Sequence, residues 1–106
     1  MTKKAAKNAE LIFREKRAYA KGVVEIVVWR VPAPVPPSVH GFKYRLAFVR
    51  NGKRVVGYDN ERGKGDHKHL GEVELSYGFV DEVQLMEDFW RDINETLHGG
   101  RENESE

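Results

Sequence analysis

The residues with most to offer chemically lie together in GYDNERGKGDHKH, Gly57 to His69, where two histidines, two aspartates, a glutamate, an arginine and two lysines sit among three glycines. These types suit metal-free cleavage of a phosphodiester. RNA carries its own nucleophile, the 2′-hydroxyl, so a cleaving protein must supply a base for that proton, an acid for the leaving 5′-oxygen, and cations for the phosphate. His67 and His69 exchange protons near neutral pH, in an order that spacing does not assign. Asp59 or Asp66 can accept a ring N–H and so orient a histidine, while Lys64, Arg62 and Lys68 can hold a phosphate.

Other chemistries fit less well. Residues two apart in an extended segment share a side, so His67 and His69 could ligate a metal with Asp59, Asp66 or Glu61, but the spacing fixes no third ligand. The leading reading therefore expects no metal and no cofactor. A nucleotide-binding P-loop fails, because five residues separate Gly57 from Gly63-Lys64 and Gly65 follows where Ser or Thr is needed. The strand, glycine loop and helix order of a dinucleotide site is also missing. His40 and His98 look less reactive, His98 having a helix C-terminus to explain it. The same motif also fits a solvated charged loop, or a non-enzymatic module that binds RNA or a protein.

Without cysteine, thiolate catalysis, disulfides and cysteine-bound zinc are excluded. The 106 residues suit one domain. No apolar run reaches membrane-spanning length and no signal-peptide core follows MTKKAAKNAE, so a soluble cytoplasmic protein is expected. The formal net charge of +1 conceals a division: residues 1–70 carry +10 and residues 71–106 carry −9. The basic part suits a polyanion; the acidic part would repel one, unless the two neutralise each other on packing.

The elements that must position the motif follow from periodicity. ELIFREKRAYA (10–20) and VVEIVVWRV (23–31) read as a hairpin, the second strand buried on much of both faces. Four prolines within residues 32–37 make a stiff connector. KYRLAFV and RVVGYD flank Asn51-Gly52, the favoured type I′ turn. Regular pairing outward from Arg50 and Lys53 places Val49 opposite Arg54, Phe48 opposite Val55 and Tyr44 opposite Asp59. Tyr44, Leu46, Phe48, Val55, Gly57 and Asp59 then share the apolar face, and Arg45, Arg54 and Tyr58 the basic one. A short strand is expected at EVELSY. Leu85, Met86, Phe89, Trp90, Ile93 and Leu97 stripe one helix over 81–98, capped by Asp81 and stopped by Gly99-Gly100.

VVWRVPAPVPPSVHGFKYRLAFV, GKRVVGYDNERGKGDHKH and DFWRDI together resemble the TumE family of prokaryotic toxins, over about residues 10–97. The resemblance implies a growth-inhibiting protein held inactive by a helix-turn-helix antitoxin encoded beside it. More distant relatives keep YDN and a His-rich HHKH ending without the central glycines, which puts weight on Tyr58, Asp59, Asn60, His67 and His69 and less on Lys64. Ribonuclease activity is an extension by analogy with other toxins.

The resulting expectation is an α+β domain over 10–98, an antiparallel sheet of four to five strands with one C-terminal helix packed on it. A flexible basic arm (1–9) precedes it and a disordered acidic tail (99–106) follows. The expected catalytic group is His67, His69, Asp59 and Lys64; Arg62, Lys68, Tyr58, Asn60 and Arg45 would contact phosphate or RNA. A homodimer stays open.

Overall fold

The structure, a computed structural model, describes residues 9–104, so the expected N-terminal arm lies outside it but for its last residue. Strands β1 (Glu10–Tyr19), β2 (Gly22–Arg30), β3 (Phe42–Arg50), β4 (Lys53–Glu61), β5 (Gly65–Leu70) and β6 (Val73–Ser76) precede one helix, α1 (Glu82–Glu104). They form a single antiparallel meander in chain order. The α+β expectation holds, with six strands rather than four or five. The uncounted strand is GDHKHL: after a turn at Arg62–Lys64 the charged motif pairs back onto β4. Most of it is therefore sheet, with Gly63 and Gly65 supplying positive φ at the turn.

Asn51 and Gly52 both take positive φ, as a type I′ turn requires, and Arg50–Lys53 and Val49–Arg54 pair as expected. Beyond them the register differs. A bulge at Val55 puts Val56 opposite Phe48, Gly57 opposite Ala47, Tyr58 opposite Leu46 and Asp59 opposite Arg45. The Val55 carbonyl is used elsewhere, accepting from Gly71 N–H at 2.9 Å. One extra residue turns each later side chain to the other face. Val56, Tyr58 and Asn60 face inward, correcting the expectation for Gly57, Tyr58 and Asp59, while Val55 packs partly buried against the core as expected.

Among the described residues only one face of the sheet is covered. Helix α1 lays Leu85, Phe89 and Ile93, all fully buried, against Val24, Ile26, Val28, Tyr44, Leu46, Phe48, Val56 and Tyr58. Each such side chain contributes about 1.5–3 kcal/mol of burial. The Asp81 carboxylate caps the helix by accepting Gln84 N–H at 2.7 Å. Gly99 and Gly100 lie within the helix rather than ending it. Glycine weakens a helix by about 1 kcal/mol without forbidding it. On the opposite face Val27 and Trp29 are only half-buried, so β2 is covered on one side, not two.

Candidate active site

The β4–β5 register places Asp59 beside His67 and Gly57 beside His69, all on the uncovered face. His69 pairs onward with Glu74 of β6, and Asp59 with Arg45 of β3. Two adjacent rows of polar side chains thus lie side by side, Arg45–Asp59–His67 across three strands and His69–Glu74 across two. Sequence spacing predicted that the histidines share a side; the bulge brings Asp59 to that side.

His67 is almost wholly buried. Its Nδ1 lies 2.9 Å from the Gly65 carbonyl and its Nε2 lies 2.6 Å from Asp59 Oδ1. The Gly65 carbonyl can only accept, so Nδ1 is the donor and Nε2 is the nitrogen turned toward the carboxylate. The Asp59 contact is electrostatic rather than an aligned hydrogen bond, for Asp59 Oδ1 is buried without a hydrogen-bond partner. The Nε2 position is therefore not locked to its carboxylate.

His69 lies edge-on to His67, with ring centroids 5.1 Å apart. Burial, and then the Arg54 guanidinium, lower its pKa below the ordinary 6.5 and favour the neutral ring. Arg54 reaches this position over Gly57: a Cβ there would stand 2.7 Å from Arg54 Cδ. Glycine is needed here for close approach. Lys64 Nζ contacts Glu74 Oε2 at 2.9 Å, and Glu74 Oε2 lies 3.8 Å from His67 Nε2. The Lys64 hydrogen bond lowers the Glu74 pKa. The site thus gathers His67, His69, Asp59 and, through Glu74, Lys64.

Asp59, His67 and His69 can also offer one ligand atom each, all within 4.8 Å of one another. They would make a two-histidine, one-carboxylate set, with His67 oriented by its Nδ1 contact to Gly65.

Three residues expected to touch RNA lie on the other face. Lys68 pairs with Tyr58 across the strands, and both meet Asp92 of α1: Lys68 Nζ at 3.1 Å, and the Tyr58 hydroxyl in a short hydrogen bond. Burial, then the Asp92 bond, pushes the Tyr58 hydroxyl far above its ordinary 10.0. Asn60, fully buried, accepts Tyr44 N–H at 3.0 Å and donates to the Phe42 carbonyl at 2.8 Å. These three hold the fold. Arg45 stays exposed on the uncovered face, 3.8 Å from Glu25, while Arg62 is exposed in the turn.

Asp66 orients a histidine, but that histidine is His40. Its carboxylate receives the Ser38 hydroxyl, the Tyr44 hydroxyl at 2.6 Å and His40 Nε2 at 2.7 Å. Burial opposes ionisation, yet these bonds outweigh it and keep the carboxyl below 3.8. With Phe42 N–H donating to Nδ1 at 3.2 Å, His40 is fully engaged in fastening the proline connector to β5. Sequence reading missed Glu74 and the Arg54–Gly57 overlay. Pairing EVELSY onto DHKH would have found Glu74; the overlay depends on the bulge.

An antiparallel sheet with a helix packed on one face, and histidines and carboxylates gathered on the other, makes this a small α+β protein. The family model described as Toxin TumE matches residues 3–97, and the chain belongs to that family. Comparison with curated proteins and with solved structures found no match. A toxin of this family implies an antitoxin partner. No helix among the described residues is long and apolar enough to cross a membrane.

Proposed function

We propose that this toxin is a metal-independent endoribonuclease acting on cytoplasmic RNA, with Asp59, His67 and His69 as its reactive centre. The observation that carries the reading is a pair of adjacent histidines in unlike surroundings. Neutral His69 accepts the 2′-hydroxyl proton, and the freed oxygen attacks phosphorus. His67, its ring held between the Gly65 carbonyl and the Asp59 carboxylate, acts as the acid that protonates the departing 5′-oxygen, leaving a 2′,3′-cyclic phosphate. Asp59, 2.6 Å from His67 Nε2, orients that ring, and Arg54 and Lys64 oppose charge on the phosphorane.

Purified wild type and His69→Ala, incubated with RNA and chelator, provide the test. Wild type should cut RNA to cyclic-phosphate ends, and the variant should lose about 10²–10⁴-fold in rate while keeping RNA affinity. Intact RNA with wild type, or unimpaired cutting by His69→Ala, refutes the mechanism. Growth arrest by wild type with cellular RNA intact would leave the toxin role standing and this reaction excluded.

A second reading has its own support in the unpartnered Asp59 oxygen and the compact three-ligand set. There Asp59, His67 and His69 would hold a divalent ion, which would supply an activated water for phosphodiester hydrolysis. Activity abolished by chelator and restored by one divalent ion would favour it. A non-enzymatic module would instead tolerate His67→Gln and His69→Gln and lose binding on Arg45 or Arg54 substitution.

A further inference from the structure

The uncovered face continues past the histidine row. Trp29 pairs with Lys43 and Val27 with Arg45, and these four side chains, with Tyr44 beneath, line a shallow cavity of about 230 Å³ on the same face as Asp59. No carboxylate lines it. Lys43 has no carboxylate partner among the described residues, and Arg45 meets Glu25 only at 3.8 Å. Trp29 stacks on no ring among the described residues, whereas Trp90 is edge-on to Tyr19 and Phe89. The half-buried Trp29 indole has no hydrogen-bond partner for its N–H among those residues either.

A large aromatic left without an aromatic partner on a bare sheet, flanked by cations, is the combination that binds single-stranded nucleic acid: the ring takes a base and the cations take the backbone. Trp29 lies two strands and two residues from Asp59, roughly 12 Å at ~4.8 Å per strand and ~3.4 Å per residue. That is the span of about three or four stacked nucleotides at ~3.4 Å each. We propose that Trp29, Lys43, Arg45 and Val27 form a nucleobase subsite that holds single-stranded RNA a few nucleotides from the scissile phosphate. The inference deepens the ribonuclease reading and rests on it for its substrate. The charge of the chain supports RNA over an apolar protein segment as occupant, for residues 1–70 carry +10.

The test uses the full chain and a 2′-O-methyl single-stranded oligonucleotide, which binds but offers no 2′-hydroxyl to attack. Trp29→Leu, which keeps apolar bulk on the sheet, should weaken binding about tenfold at constant salt. An abasic position within the oligonucleotide should weaken wild type by a similar factor and have no further effect in Trp29→Leu, because both remove the same stack. Lys43→Ala, an exposed-face change away from the core, should lower the salt dependence of binding by about one unit of slope. Unchanged affinity in Trp29→Leu with wild-type melting, or equal abasic losses in both proteins, overturns the proposal. So does retention of RNA binding by Trp29→Leu alongside loss of a protein partner, which would make the face a protein dock. Because the probe cannot be cut, base-dependent binding through Trp29 can survive failure of the cleavage reading. Conversely, cutting with kcat and KM untouched in Trp29→Leu would sink the subsite alone.

Discussion

Replacing Lys68 by Met distinguishes an internal ion pair from a phosphate contact. The Lys68 ammonium and Asp92 carboxylate have side chains 18% and 6% exposed, 3.1 Å apart, with the Tyr58 hydroxyl on the same oxygen. Removing one member of a fully buried pair costs about 3–5 kcal/mol. The cost here is smaller, because Asp92 keeps Tyr58 and lies 3.5 Å from Arg91. About 2 kcal/mol is expected for Lys68→Met, and about 1 kcal/mol for Tyr58→Phe, which removes a single hydrogen bond. In a domain of this size 1 kcal/mol moves the melting temperature by roughly 4–8 °C, so Lys68→Met should melt roughly 8–16 °C lower. Asp92→Leu added to Lys68→Met should recover part of that loss, since no buried charge is then left unpaired. RNA affinity, measured well below the melting point, should not change. Wild-type melting in Lys68→Met, together with weakened RNA binding and a shallower salt dependence, would refute the assignment and restore Lys68 as a phosphate contact.

Asn60→Ala leaves the Tyr44 N–H and Phe42 carbonyl without their partner and should cost about 2–4 kcal/mol by chemical denaturation; lost RNA affinity at unchanged stability would contradict this. Asp66 and Asp88 have carboxyl pKa values held below 3.8, Asp88 by bonds from Tyr77, Gln84 and Arg91 that outweigh burial. Their contribution is present above the ordinary value and lost as pH falls through the lower folded one, so stability should drop progressively once the pH falls below about 4. Asp66→Asn should flatten that limb; an unchanged acid limb would be evidence against the bond network. Arg54→Gln should raise the His69 titration toward 6.5 by NMR, and Gly57→Val should do the same by displacing Arg54. An unmoved His69 resonance midpoint in both would show that Arg54 does not act on the ring.

Much of the fold was written locally. The strand VVEIVVWRV, the Asn51-Gly52 turn and the stripe from Leu85 to Leu97 each depend on near neighbours, and each forms as read except that the strand is covered on one face rather than two. The same-sidedness of His67 and His69 is likewise a property of two-residue spacing. What could not be read was which face the strand end presents. Val55 and Val56 are equally apolar, and the bulge lets both pack toward the core while it reverses the faces of Gly57, Tyr58 and Asp59. Helix docking resolves that choice: Val56 and Tyr58 enter the core beside Phe89, Lys68 reaches Asp92, and Asp59 is turned out to His67. Residue types and two-residue spacing were enough to name the candidate groups and to put both histidines on one side. Tertiary structure decided their neighbours, because burial of Tyr58 and Asn60 against other elements is worth more than the regularity of one hairpin.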